Sequence, residues 1–250
     1  MTTMRERAYL LAVEGLTVSF DGFRAVDDLS FYIEKDELRA IIGPNGAGKT
    51  TVLDLISGRT RADTGSVMFK GEELSRMREH QIVRRGIGRK FQTPSVYESL
   101  TVFENLEMSF PRGRTAFGAW WFSRTPDVIR RVEEVAEIVE LSSRLGDPAE
   151  LLSHGQKQWL EIGMLLIQDP LLMMLDEPVA GMSAAEREKT AELLKRICKT
   201  CAVVVVEHDM EFVRSIAHRV TVLHQGKVLA EGSMEFVQND PKVIEVYLGH

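Results

Sequence analysis

Residues Gly43 to Thr50 read Gly-Pro-Asn-Gly-Ala-Gly-Lys-Thr, between an apolar run, Leu38 to Ile42, and a helical pattern that continues to about Ser57 and stops at Gly58. Glycine at the first and sixth positions, followed by Lys-Thr, fits G-x-x-x-x-G-K-[ST] in the strand-to-helix context that the pattern requires. Glycines let successive backbone N–H groups converge on one anion at the positive end of a helix. In such a loop Lys49 reaches the β- and γ-phosphates of a nucleotide, and Thr50 gives its hydroxyl to Mg²⁺. Gly43, Pro44, Asn45, Gly46, Ala47, Gly48, Lys49 and Thr50, with Thr51 after them, are the candidate nucleotide-binding segment. The plain alternative, a glycine-rich turn without function, does not account for the flanking strand and helix.

Composition bounds what surrounds this loop. The chain has 250 residues, 44% hydrophobic and 27% charged, the balance of one large α/β domain or two small ones, which excludes disordered and collagen-like chains. Its 31 basic and 37 acidic residues leave −6, which argues against a main surface built for nucleic acid or anionic lipid. Phosphate binding is therefore expected to be local. The most apolar stretch, Trp159 to Leu175, is broken by Glu161, Gln168, Asp169 and Pro170, so no bilayer span is expected. The N-terminus has neither the apolar length nor the small-residue cleavage site of a secretory signal, and a cytoplasmic location is expected.

The two cysteines, Cys198 and Cys201, are spaced C-x-x-C. Two thiols are half of a zinc cage. A redox pair sits where a helix dipole lowers a thiol pKa, at a helix start, whereas this pair ends one helix and enters a strand. The expectation is a pair of small buried core residues, with Cys198 continuing the apolar face of Ala191 and Leu194.

Short strands with turns at Asp21-Gly22 and Asp63-Thr64-Gly65 fill the span from Leu10 to Phe69, apart from the helix after Lys49. From about Ser95 to Leu166 the character is helical: Val128, Val132, Val135, Ala136 and Val139 recur at the spacing of an amphipathic face. Two all-apolar runs follow, Leu171 to Leu175 and Ala202 to Val206, around a helix from about Ser183 to Lys199. Unbroken apolar runs mean strands covered on both faces, hence a parallel sheet between helices. A β-pair, Val220 to Leu223 and Lys227 to Leu229, leads into terminal helices. The fold class is α/β: a phosphate-loop NTPase core with an N-terminal antiparallel β-subdomain and an inserted helical subdomain. The expected boundaries are one domain over 9–250, containing a helical subdomain at 93–167 and a C-terminal helical extension at 233–250.

The run Leu171 to Leu175 ends in Asp176-Glu177-Pro178. Beside the phosphate loop, Asp176 would hold Mg²⁺ through its water shell, and Glu177 would polarise the water that attacks the γ-phosphorus. Two acids allow hydrolysis, where one would suggest binding only. Leu152-Ser-His-Gly-Gln156 has the S-x-x-Q spacing of a capping box, so one reading is a plain helix start. The other is that Gly155 in the first turn and the Ser153 hydroxyl face an anion.

These motifs, with a lone Gln92 after the strand Ile87 to Phe91 and a His208 just after the strand Ala202 to Glu207, resemble in order and spacing the ATP-binding subunits of ABC transporters. The resemblance covers nearly the whole chain. It implies that two subunits close head to tail on two ATP molecules, each nucleotide lying between the phosphate loop of one subunit and the Ser153, Gly155 and Gln156 segment of the other. It implies that Gln92 ligands Mg²⁺ and senses the transmembrane partner, and that His208 holds the γ-phosphate and the attacking water. Phe20, at the end of the first strand, would stack on adenine, though Phe23 is close and either could be a core aromatic.

Within that family the chain is most similar to the subunits that energise branched-chain amino-acid and urea uptake. The stretches Gly88 to Tyr97, Ser153 to Glu161, Val179 to Met182 and Pro241 to Gly249 look most like the urea type. The implied partners are transmembrane permease subunits, a second related ATP-binding subunit and, indirectly, a periplasmic or extracellular solute-binding protein. The implied location is peripheral, on the cytoplasmic face of the inner membrane. Two residues depart from the common pattern. His154 replaces a glycine and is expected to face solvent or the partner. Ser183 replaces an aspartate that helps couple the two nucleotide sites, which puts equal firing of those sites in question.

Rival readings fit less well. A DNA-maintenance ATPase on the same dimer carries long heptad arms or zinc-binding inserts, and a translation-factor type carries a second phosphate loop. Arg112, Arg114 and Trp120-Trp-Phe122 combine basic and aromatic residues. Packing of the helical lobe is favoured there over contact with a permease or lipid headgroups, and nucleic acid is not expected at a net charge of −6.

Overall fold

The computed structural model describes residues 9–90, 96–111 and 124–248. Two sheets divide the strands. Strand β1 (Leu11–Phe20) lies between β2 (Phe23–Ile33) and β4 (Thr64–Phe69), antiparallel to both, and β5 (Glu72–Glu73) extends the edge in the order β2-β1-β4-β5. Alternation builds this layer: Leu11, Val13, Leu16 and Val18 turn inward, and the residues between them are more exposed. The turn at Asp21-Gly22 joins β1 to β2, with both residues at positive φ.

The second sheet has the order β10-β9-β3-β8-β7-β6. Strands β6 (Ile87–Lys90), β7 (Leu172–Asp176), β8 (Ala202–Val206), β3 (Leu38–Ile42) and β9 (Arg219–His224) run parallel, and β10 (Lys227–Gly232) returns antiparallel to β9. Every residue of β3, β7 and β8 is buried, as strands that are apolar but for Arg39 and Asp176 require in a sheet covered on both faces. Strand β7 begins one residue later than the sequence suggests, because Leu171 N–H bonds to Gly86 O at 2.7 Å before the ladder starts.

Alternate residues of β7 and β8 pack into different cores. Leu172, Met174, Ala202, Val204 and Val206 face the β1–β2–β4 layer and helix α1 (Lys49–Ile56). Met173, Leu175, Val203 and Val205 face helices on the other side, including α3 (Val102–Met108), α4 (Pro126–Ile138), α5 (His154–Leu166) and α6 (Ala184–Cys198). The five residues Val128, Val132, Val135, Ala136 and Val139 are all buried, which is the face that their spacing predicts. The remaining helices are α2 (Glu79–Val83), α7 (Met210–Ile216), α8 (Met234–Gln238) and α9 (Pro241–Leu248).

Cys198 and Cys201 are free and buried, and burial pushes their thiols up to about 11 and about 12. Such thiols are inert core residues. Among the described residues no helix is long and apolar enough to cross a membrane, and no cluster of three or more His, Cys, Asp or Glu residues could hold a metal.

Candidate functional site

The parallel ladder brings the ends of β3, β7 and β8 to one edge, and the phosphate loop leaves β3 there. Open α/β sheets bind ligands in this place, outside the carboxyl ends of the strands. The loop is held from two sides. Gly226, at the β9–β10 turn, donates its N–H to Ala47 O at 3.1 Å and accepts from Asp27 N–H at 3.0 Å. Gly48, the residue before α1, has φ +97°, and a Cβ there would lie 2.4 Å from Ala25 O. Only glycine meets both conditions.

Lys49 folds back over the loop, donating from Nζ to Gly43 O at 2.8 Å and Pro44 O at 3.1 Å. Burial lowers its pKa, and the nearby Glu177 and Asp176 carboxylates act in the opposite direction. Asp176, the last residue of β7, is buried and hydrogen-bonded to the Thr50 side chain, while its Oδ1 has no hydrogen-bond partner among the described residues. Burial raises its pKa in spite of the Thr50 contact and the charge of Arg89. A hydroxyl beside a carboxylate oxygen without a partner is a donor set that suits a hard, partly hydrated divalent cation such as Mg²⁺.

Glu177 follows at φ +47°, a left-handed conformation costly for a residue with a side chain. Its N–H donates to Val206 O at 2.9 Å, and its carboxylate Oε1 lies 3.5 Å from Nδ1 of His208. The loop after it rests on a residue that sequence reasoning missed. Glu207 is buried, accepts from Val179 N–H and from His208 N–H, each at 3.2 Å, and has its pKa raised chiefly by burial. A carboxylate closing the all-apolar run Ala202 to Val206 was the available signal.

A cleft of about 330 Å³ opens between these groups, lined by the loop from Asn45 to Thr51, by Asp176 and Glu177, and by both Phe20 and Phe23 at its rim. The two rings are cross-strand partners at the end of the β1–β2 hairpin, and both are exposed. The hairpin therefore brings both aromatics to the cleft, and neither is the core aromatic that the sequence left open as an alternative.

Ser153, Gly155 and Gln156 lie elsewhere and do not line the cleft. Ser153 caps α5 reciprocally: its Oγ accepts from Gln156 N–H at 3.2 Å, and its own N–H donates to Gln156 Oε1 at 3.0 Å. His154 is exposed, yet its Nε2 is 3.0 Å from Ala180 O, so the ring is engaged with its own chain. Gln92 and the Arg112, Arg114 and Trp120-Trp-Phe122 positions lie outside the described residues.

Fold and cleft together define a phosphate-loop nucleotide-binding protein. The family model described as "ABC transporter" matches residues 26–180, and one described as "Branched-chain amino acid ATP-binding cassette transporter" matches residues 227–250. The chain is 35% identical over 96% of its length to the high-affinity branched-chain amino acid transport ATP-binding protein BraF of Pseudomonas aeruginosa, covering 98% of that protein. It is 33% identical over 96% of its length to the probable branched-chain amino acid transport ATP-binding protein LivG of Archaeoglobus fulgidus, covering 95% of it. The crystal structure of the ADP conformation of an ATP-binding cassette of an ABC transporter superposes with a TM-score of 0.85 at 29% identity, covering 97% of this chain and 99% of that one. The chain belongs to the ABC transporter family, as an ATP-binding protein of the branched-chain amino acid type, and is an ATPase of the kind that powers transport.

Proposed function

We propose that this chain is the ATP-binding and ATP-hydrolysing subunit of an importer, one half of a two-subunit ATPase beneath a separate membrane permease. One observation carries the reading: Lys49, Thr50, Asp176 and Glu177 share a cleft from which the α5 start at Ser153 and Gly155 is absent. One chain thus carries two complementary half-sites, and two chains facing head to tail would complete both. The cassette is read as one domain over 9–250, with 93–167 as its helical subdomain and 233–250 as a C-terminal extension.

In this reading Lys49 and the loop N–H groups hold the β- and γ-phosphates, and Phe20, with Phe23 beside it, stacks on adenine. Glu177 takes the proton of the attacking water at its carboxylate, and His208 holds the γ-phosphate in place. Gln92 is proposed for the link to the permease and as a further metal ligand. Mg²⁺ would be held by Thr50 and Asp176 and would neutralise charge on the phosphate oxygens. A γ-phosphate contacted by both halves favours closure, and its loss favours opening, because a ligand shifts an equilibrium only by its differential affinity for the two states.

The solute proposed is a small polar nitrogen compound. The stretches Gly88 to Tyr97, Ser153 to Glu161, Val179 to Met182 and Pro241 to Gly249 support urea, and the names of the relatives support a branched-chain amino acid. A heterodimer with a second related ATPase, peripheral attachment at the cytoplasmic face of the inner membrane and a solute-binding protein outside complete the proposal. The test is purification from native membranes with identification of co-isolating proteins, followed by ATPase assays with urea or leucine and the cognate binding protein. Co-isolation of a permease, with urea stimulating hydrolysis, is expected. Stimulation by leucine alone would reassign the solute, and recovery only as a free species would overturn the transport reading.

A further inference from the structure

One carboxylate serves the starts of two helices. Glu186, in the first turn of α6, closes a capping box with Ser183: its Oε2 accepts from Ser183 N–H at 2.9 Å and from Ser183 Oγ–H at 2.8 Å, and Ser183 Oγ accepts from Glu186 N–H at 3.3 Å. Its other oxygen, Oε1, accepts from the Ser153 hydroxyl at 3.1 Å. The carboxylate also fills the space beside the first turn of α5, where a Cβ on Gly155 would lie 2.5 Å from Oε1. His154 Nε2, 3.0 Å from Ala180 O, ties the same turn to the loop that leads from Glu177 into α6.

A serine hydroxyl has one proton to donate. With Ser153 Oγ–H given to Glu186, it is not available to a phosphate oxygen. We infer that Glu186 is a positioning residue that occupies the Ser153 hydroxyl in the nucleotide-free chain, and that the terminal phosphate of ATP must displace it for the two subunits to close. The inference rests on the reading of Ser153 as a group that meets the nucleotide of another subunit, and it adds a residue that sets the ATP requirement of that contact.

The arrangement lets go without melting. Releasing Ser153 loses only the Oε1 contact, while Oε2 stays on Ser183 and α6 keeps its cap. Ser183 is what permits this, because a hydroxyl donates to Glu186 where an aspartate at this position could only accept and repel. The Ser183 N–H and hydroxyl also hold the Glu186 carboxyl below the usual carboxylate range, so it stays negative at neutral pH and opposes an approaching phosphate until the N–H groups and Ser153 of α5 turn to the new anion.

The test is steady-state ATP hydrolysis by the full-length chain in the assembly purified from membranes, with kcat and KM measured separately. Glu186→Ala is expected to lower KM for ATP about tenfold, the scale of one released hydrogen bond to a charged group. Glu186→Gln should lower it as well, since one amide oxygen cannot serve both helix starts, and it keeps an acceptor for Ser183 so that the fold is retained. Ser153→Ala should raise KM, and adding Glu186→Ala to it should bring no recovery. If Ser153→Ala raises KM while neither Glu186 variant lowers it, the inference fails and the reading of Ser153 stands. If Ser153→Ala leaves KM unchanged, that reading fails first. A lowered KM in the double variant would show that Glu186 acts by another route and would also overturn the inference.

Discussion

Glu177 Oε1 and His208 Nδ1 stand 3.5 Å apart, just beyond the ends of the neighbouring parallel strands β7 and β8. The pairing depends on backbone geometry: Glu177 is held at φ +47° by its N–H bond to Val206 O, so the strained residue is fixed by the strand that leads to its partner. Glu177→Gln preserves shape and removes the proposed base. Turnover should fall by about 10²–10⁴-fold, the scale of a lost general base, with ATP affinity retained. Equilibrium binding and single-turnover hydrolysis check both halves, and near-normal hydrolysis would move the base elsewhere.

Lys49 donates to the Gly43 and Pro44 carbonyls, so an ammonium group already sits over the loop where phosphate would be held. Lys49→Ala should weaken ATP binding about tenfold to a hundredfold, the worth of a hydrogen bond to a charged group. Equilibrium dialysis with labelled ATP measures it. An unchanged affinity would remove Lys49 from the phosphate contact.

Local pattern carried much of this site and long-range pairing carried the rest. Strand β3, the loop Gly43 to Thr50 and α1 are contiguous, so one motif gave strand, turn and helix together. The apolar runs of β7 and β8 and the valine face of α4 were legible because burial on a regular element has a fixed period. Glu186 was not, since beyond its local capping box with Ser183 its contact to Ser153 joins residues remote in sequence through the packing of α5 on α6. Arg39 was missed for the same reason. It is fully buried on β3 and reaches Glu37, Thr221, Glu231 and the Tyr32 carbonyl, a network that no local pattern announces.

Consecutive residues of β6 point to opposite faces, and here both are basic. Arg89 pairs with Asp54 of α1 at 2.7 Å, and Lys90 with Glu161 of α5 at 3.4 Å. The Lys90–Glu161 pair is buried on both sides. Lys90→Ala alone should cost about 3 kcal/mol, because it removes the cation of a buried ion pair and leaves the anion in place, whereas Lys90→Met with Glu161→Leu should cost less. Urea denaturation of the nucleotide-free chain distinguishes the two. Equal losses would mean that the pair is not the unit of stability.

Glu207 carries a pH signature. Its folded-state pKa is raised by burial, so the native chain binds more protons than the unfolded chain between the ordinary glutamate range and that raised value. Stability therefore declines as pH rises through this window. Glu207→Gln should flatten that part of the profile, at the cost of about 1 kcal/mol for one lost acceptor of the Val179 and His208 N–H groups. Thermal unfolding against pH reads the slope, and an unaltered slope in the variant would assign it to another group.

In the proposed cycle the terminal phosphate joins two ATP-binding subunits. The most direct measurement is energy transfer between dyes on the two subunits of the membrane-purified assembly carrying Glu177→Gln. Saturating ATP should raise the transfer efficiency, and ADP should leave it at the nucleotide-free value. Equal efficiencies with ATP and ADP would mean that the terminal phosphate does not join the subunits.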